Sequence, residues 1–187
     1  MEKTILNTFF EKNLPLHQPL DDGFLKTLDE ENLLKRNFRY VFSVEELIRI
    51  SYRLENFLIS MPGHCDAHVS FQYMSRFKTQ ELRYESVANA AKNLWVYGAM
   101  DIEMPNLPRT RFIDTTATQL VDYWFIIIHG AGVSGTLLAA DTSALSTDRR
   151  IRRFDGFYTF DPMTPMQLTS ILHQYFPTDV PSPLTGT

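Results

Sequence analysis

Three groups of residues in this chain have the types and spacing to do chemistry. Gly130, Gly132 and Gly135 spell G-x-G-x-x-G across the run Gly130-Ala131-Gly132-Val133-Ser134-Gly135. In that pattern tight glycine turns let a pyrophosphate approach the start of the following helix. His64, Asp66 and His68 alternate within His64-Cys65-Asp66-Ala67-His68, so on an extended strand they share a face and make a partial ligand set for zinc or a similar ion. Arg149, Arg150, Arg152 and Arg153 stand beside Phe154, Phe157 and Tyr158. Guanidinium groups among rings bind phosphates, stack on bases or pair with acidic surfaces.

Each group has a plainer alternative. A nucleotide- or flavin-binding protein using the Gly130–Gly135 loop needs a full helix after the glycines, then an apolar strand ending in an acid about twenty residues on. The segment at that distance reads Arg149-Arg150-Ile151-Arg152-Arg153-Phe154-Asp155, with arginines where the apolar strand belongs. A flexible connection between strands is the competing reading, and the two divide on whether a helix or a strand follows Gly135. No second group of Cys or His pairs completes the histidine cluster, and loop histidines are ordinarily solvated. Cys65 is the only cysteine; it could anchor a chromophore or serve as a redox thiol, and it excludes an intrachain disulfide and a multi-thiolate metal site. The arginines also fit a solvated loop giving way to strand pairing. No histidine and carboxylate stand at a spacing that specifies a catalytic dyad or triad, and the sequence names no cofactor.

The 187 residues suit one domain with a sizeable core, and 44% hydrophobic against 21% charged residues is the profile of a folded protein. A formal net charge of -4 gives no global positive field, which makes nucleic acid a poor partner. The longest apolar run, residues 123–128, is too short to span a bilayer. The N-terminus lacks the apolar segment of a secretory signal. With a single thiol, these features lead to the expectation of a cytoplasmic protein that engages no membrane.

The elements that must position these groups follow from periodicity. Residues 1–40 read as a helical leader, with Ile5, Leu6, Phe9 and Phe10 and then Phe24, Leu25, Leu28 and Leu33 at helical spacing. This leader either packs on the main domain or offers a surface for a homodimer or partner. Ser43-Val44-Glu45-Glu46 is a capping box opening a helix over residues 44–59. An alternating strand over 69–74, a helix over 79–93 and a strand over 94–97 make a βαβ unit with parallel strands. Residues 111–113 suit a short edge strand. The continuous apolar run 124–129 describes a central strand buried on both faces, residues 136–140 fit strand or helix, and residues 141–150 read as a polar loop. Residues 153–160 read as a strand, and Asp161 is placed to cap a closing helix with Pro162 at its first position. Residues 177–187 read as a flexible tail. The fold expected is α/β (α+β): a central mixed β-sheet of about five strands flanked by helices, with residues 1–40 as leader and 41–176 as the domain.

The order of segments resembles a known family. Ser70-Phe71-Gln72 on a strand, Arg83-Tyr84 leading a helix, Val96-Tyr97-Gly98 at a strand end, Asp122 and Trp124 before the central apolar strand, and Arg152-Arg153-Phe154-Asp155-Gly156 followed by Thr159-Phe160-Asp161-Pro162 are similar to motifs of the DICT sensory domain. Tyr97 stands for the usual Phe, Asp155 for Glu, and Tyr123 is interposed in the fourth motif. The resemblance covers roughly residues 41–176. It implies a non-enzymatic sensory or adaptor domain of bacterial signalling, often coupled to a histidine kinase, response regulator or cyclic-di-GMP cyclase and associated with light responses in cyanobacteria. A small-molecule ligand is a further partner it allows. Polar groups on otherwise apolar strands need partners or ligands, so Gln72, Arg83, Tyr84, Trp124, Arg153 and Asp155 are the candidate ligand-binding residues. An internal hydrogen-bonded and ion-paired network is the alternative role for these six.

Overall fold

The computed structural model describes residues 17–19, 38–143 and 148–183. Ser43 opens the first helix as its spacing requires: its Oγ accepts from the Glu46 N–H at 3.3 Å, and its own N–H donates to Glu46 Oε2 at 2.6 Å. The helix α1 (Val44–Ile59) buries Leu47, Ile50, Leu54 and Leu58. Two polar residues, Ser51 and Glu55, lie one turn apart and are buried with them.

The strands β3 (Asp66–Tyr73) and β4 (Asn93–Ala99) run parallel, and β5 (Thr110–Asp114) continues the parallel set at the sheet edge. The crossover between β3 and β4 holds two helices, α2 (Met74–Lys78) and α3 (Glu81–Ala90). The expected βαβ unit is therefore present, with Met74 opening a helix rather than closing the strand. Then β6 (Tyr123–Gly130) forms an antiparallel hairpin with β7 (Val133–Asp141), and β8 (Phe154–Thr159) pairs antiparallel on β7. Before α1, β2 (Phe38–Phe42) pairs antiparallel with β8, and the short β1 (His17–Pro19) runs parallel to β2. The order across the sheet is β1-β2-β8-β7-β6-β3-β4-β5.

A mixed α+β sheet was expected, but with about five strands. Seven strands lie between Phe38 and Thr159, and β1 adds a short parallel edge. The two main additions are β2 and β7. The described parts of the expected helical leader, His17–Pro19 and residues 38–40, are strand; its expected helices, and the dimer surface assigned to them, lie outside the described residues.

Why β6 is apolar throughout is clear from its two faces. Trp124, Ile126 and Ile128 join the core beneath α1, α2 and α3, while Tyr123, Phe125 and Ile127 join the core beneath α4 (Met163–Tyr175). Helices on both faces leave no solvated side to alternate with. Asp161 does cap α4, its Oδ1 accepting the Met163 N–H at 3.2 Å, but Pro162 sits before the first helical residue rather than in it. Past the helix the chain packs back. Val180 is buried in the same core, its carbonyl accepts from His173 Nδ1 at 2.7 Å, and the Asp179 carbonyl accepts from Trp95 Nε1 at 2.9 Å. A flexible tail was expected from residue 177; these bonds tie it down as far as Val180.

The glycine-rich run is a hairpin turn. Gly130 pairs with Val133, leaving the two-residue loop Ala131-Gly132 with φ of 47° and 79°. Positive φ at both central residues is the tight-turn geometry matched to strand twist. A nucleotide- or flavin-binding loop requires a helix from about Val133; residues 133–141 are strand instead, so no helix N-terminus follows the glycines and the run is not a phosphate-binding loop. An added Cβ at Gly132 would meet nothing within 4 Å, so only conformation opposes a side chain there. Gly132→Ala is expected to cost about 1 kcal/mol in urea unfolding with the sheet retained.

Candidate functional site

Between α1, α2, α3 and the strands β3 and β6 lies a cavity of about 390 Å³. Its walls follow from the elements around it. The buried stripe of α1 contributes Val44, Ser51 and Glu55, with Tyr52 and the half-buried Ile48 beside them; β3 contributes Ser70 and Phe71; β6 contributes Trp124 and Ile126. Tyr84 of α3, Ser75 and Arg76 of α2, Thr79 and Gln80 between those helices, and Arg149 and Arg152 from the connection between β7 and β8 complete it.

At one end the polar groups centre on Glu55. Its Oε1 accepts from the Tyr84 hydroxyl at 2.8 Å and its Oε2 takes the Arg83 guanidinium. Arg83 also donates to Asn56 Oδ1 at 2.9 Å and to the Tyr52 carbonyl at 3.1 Å, and lies 4.1 Å over the Tyr52 ring. Burial pushes the Glu55 carboxyl up from its ordinary value, against the hydrogen bonds from Arg83 and Tyr84 and the guanidinium charge. The Tyr84 hydroxyl is raised well above its usual range, first by burial and then by the Glu55 charge. Beside this group Trp124 Nε1 donates to Ser51 Oγ at 3.1 Å.

At the other end two guanidiniums meet one amide. Gln72, at the end of β3, has a φ of 60° and lies where the pairing of β3 with β4 shifts register between Ser70 and Tyr73. Its Oε1 accepts from Arg152 Nη2 at 2.6 Å and from Arg76 Nη1. The buried Arg152 also pairs with Asp141, donating from Nε to Oδ2 at 3.1 Å, and lies 4.7 Å over the Phe154 ring. Burial works to raise the Asp141 carboxyl, but the Ser143 and Arg152 hydrogen bonds hold it below its usual value. Burial, then the like charge of Arg152, lowers the Arg76 guanidinium. Gln72 Nε2 is buried with no hydrogen-bond partner among the described residues.

The six candidate residues divide. Tyr84 and Trp124 line the cavity; Gln72 and Arg83 stand one bond behind it, holding Arg76, Arg152 and Glu55 in place. Arg153 is exposed and donates to the carbonyls of Arg150 and Arg152, and Asp155 pairs in register with Val41 and Ala140; neither lines the cavity. Ser51, Glu55, Arg76 and Arg152 line it and were not among the six. The signal for the first two was in the sequence: on α1 they fall within the apolar period, where a polar residue is buried and must have a partner. Arg152 was visible as part of the arginine cluster, whose other cavity member is Arg149.

The histidine cluster does not converge on an ion. His64 is exposed and bonded to the Pro62 carbonyl at 2.8 Å, while Asp66 accepts from Asn93 Nδ2 at 2.7 Å. His68 is buried on the α4 face of the sheet, stacked 4.5 Å from the Trp95 ring and bonded to the Tyr97 hydroxyl at 2.9 Å. Burial, then the neighbouring His129, lowers the His68 ring well below its usual value and keeps it neutral. Among the described residues no group of three His, Cys, Asp or Glu could hold a metal ion. Cys65 is buried, and burial followed by the Asp66 charge pushes its thiol up, the opposite of what a reactive thiolate needs.

No helix among the described residues is long and apolar enough to cross a membrane. No curated protein and no solved structure matches the chain. One family model does, over residues 24–142, which is more than half of the chain. It begins earlier than the resemblance read from the motifs and ends before the closing motif at residues 152–162. Residues Ser70-Phe71-Gln72, Arg83-Tyr84, Val96-Tyr97-Gly98 and Trp124 all lie inside it. The family is described as a sensory domain in diguanylate cyclases and two-component systems, and this chain, with a polar-ended cavity under three helices of its sheet, belongs to that DICT sensory domain family.

Proposed function

We propose that the chain is a non-enzymatic sensory or adaptor domain that takes up a small molecule in the cavity between α1, α2, α3 and the sheet. In doing so it modulates a histidine kinase, response regulator or cyclic-di-GMP cyclase. The cavity carries this reading. Its volume of about 390 Å³ falls in the range of small-molecule sites, roughly 300–1,000 Å³, and it shares their make-up of apolar walls with a few fixed polar groups. The absence of catalysis in this reading is supported by how those groups are bonded: Ser51 to Trp124, Glu55 to Tyr84 and Arg83, Arg152 to Asp141 and Gln72. They orient one another rather than activating a nucleophile. A role in light responses is carried by the family resemblance, and a cytoplasmic location by the single buried thiol.

Transmission to a partner has a physical route. A ligand touching Arg76 and Arg149 bears on the short helix α2 and on the connection between β7 and β8, both outside the regular sheet and so the least costly parts to shift.

Ile48 lines the cavity and is half-buried, so Ile48→Trp fills the space with least disturbance to the bonded groups. Thermal unfolding is followed with fractions of a small-molecule extract from cells that carry the protein. A saturating ligand is expected to raise Tm by about 5–10 °C in the unaltered chain and to leave Ile48→Trp unmoved. If no fraction raises Tm, or a fraction raises both proteins equally, the cavity is not the sensory site.

A further inference from the structure

The arginine end of the cavity has more positive charge than the described residues around it balance. Arg76, Arg149 and Arg152 all line it. Among the described residues the carboxylate bonded to this group is that of Asp141, and it is bonded to Arg152. Arg76 is half-buried, donates only to the Gln72 amide oxygen and faces the Tyr73 ring at 5.2 Å. Its remaining N–H groups have no acceptor among the described residues. Arg149 is exposed at the rim and hydrogen-bonded to nothing described.

Gln72 supplies Arg76 with a neutral acceptor and no charge. Its amide cannot be turned over, since that would aim the NH2 at two guanidiniums. Its Nε2 therefore stays buried with no hydrogen-bond partner among the described residues, behind the cavity wall, and its Oε1 stays fixed toward the two guanidiniums. Arg76, whose acceptor is a neutral amide oxygen, and the exposed Arg149, both lining the cavity, are the recognition chemistry of an anion, because guanidinium forks match carboxylate and phosphate. Phe71, Trp124 and Ile126, with Val44 and Ile48, give the cavity its apolar wall. Ser51, Ser70, Ser75, Thr79 and Gln80 add neutral polar groups to the lining. The opposite end is closed to a second anion by the Glu55 carboxyl.

We infer that the cavity takes a small amphipathic organic anion, its carboxylate or phosphate held by Arg76 and Arg149 and its ring-sized apolar body lying against Phe71, Trp124 and Ile126. The inference rests on the cavity being the ligand site, as proposed above.

Three probes with one body and different heads test it by isothermal titration: 3-phenylpropionate, 2-phenylethyl phosphate and the neutral 3-phenylpropanamide. The two anions are expected to bind about tenfold or more tightly than the amide, and whichever is tighter tells which head the site prefers. Arg76→Gln is expected to lower anion affinity about tenfold while leaving the amide unchanged; the fold is retained, since the substitution relieves the repulsion with Arg152. The exposed Arg149→Gln is expected to act in the same direction more weakly. Amide binding equal to anion binding, abolished by Ile48→Trp, overturns the anion preference and leaves the cavity standing as the site. Absence of binding by all three overturns the inference, with the extract experiment still deciding the cavity. Binding that Ile48→Trp does not touch overturns both.

Discussion

Arg152→Ala is expected to cost about 3–5 kcal/mol of folding stability, measured by urea unfolding, because it breaks a buried ion pair from one side. The side chains of Arg152 and Asp141 are 5% and 1% exposed, so the carboxylate left behind has no water to turn to. Gln72 loses an acceptor role at the same stroke. Removing both charges together, with Asp141→Ala in the same chain, is expected to recover a good part of the loss, since neither charge is then stranded. The neighbouring Arg153→Ala, whose side chain is exposed and donates to two carbonyls among the described residues, is expected to cost no more than about 1 kcal/mol.

The pH dependence separates the two arginines further. Asp141 is held below its ordinary value in the fold. A depressed carboxyl contributes stability that is present above the ordinary carboxylate range and is lost as pH falls through the folded value. Without Arg152 the same carboxyl is buried and unpaired, its pKa moves up, and acid then relieves the penalty. As pH falls, the gap between the unaltered chain and Arg152→Ala should therefore begin to narrow above about 4, where the variant's raised carboxyl takes up its proton, and go on narrowing below it as the unaltered chain loses the contribution of its depressed one. For Arg153→Ala it should stay constant. A gap that widens in acid would mean that the Arg152–Asp141 pair is not what the substitution breaks.

Gly156→Ala is expected to be similarly damaging, at about 3 kcal/mol or more. Gly156 sits in β8 opposite Ala139 of β7 and Tyr40 of β2. A Cβ there would lie 2.2 Å from the Leu138 carbonyl oxygen and 2.5 Å from Ala139 Cα. These are backbone atoms, so the strands themselves would have to part. Gly98 is the control: its added Cβ would meet the end of the Met74 side chain at 3.3 Å. That chain is flexible and can yield, so Gly98→Ala is expected to cost about 1 kcal/mol or less.

Much of the frame was readable because single residues carried it. Ser43 and Glu46 announced α1, the run around Ile126 announced a strand covered on both faces, and the alanines between Arg83 and Lys92 announced the crossover helix. β7 was ambiguous because Leu137, Leu138, Ala144 and Leu145 also satisfy a helical period. The turn chemistry of Ala131-Gly132, which decides for a hairpin, was masked by a longer glycine pattern of different meaning. β2 was missed because Phe38–Phe42 lies against a helical-looking leader and pairs with a strand more than a hundred residues away, a partner that local pattern cannot reveal.

The candidate site was half legible for a related reason. Tyr84 and Trp124 were found as polar-tipped rings on apolar elements. Arg152 lines the cavity and Arg153 does not, since a step of one residue in extended chain turns a side chain to the other face. The face was deducible: Phe154 and Tyr158 pack beneath α1, α2 and α3 while Phe157 packs beneath α4, so the even-numbered Arg152 goes with the cavity side. Gln72 could be located but not understood, since its positive φ and the register shift beside it belong to the meeting of β3 with β4.

The two tryptophans stand on opposite faces of the sheet, Trp124 in the wall of the cavity and Trp95 stacked on His68 beneath α4. In Trp95→Phe the emission of Trp124 reports the cavity alone, and in Trp124→Phe the emission of Trp95 reports the other face. A fraction that raises Tm is expected to change the first emission and leave the second as it was. A change confined to Trp95, or a rise in Tm with Trp124 undisturbed, would contradict the cavity as the place where this sensory domain meets its signal.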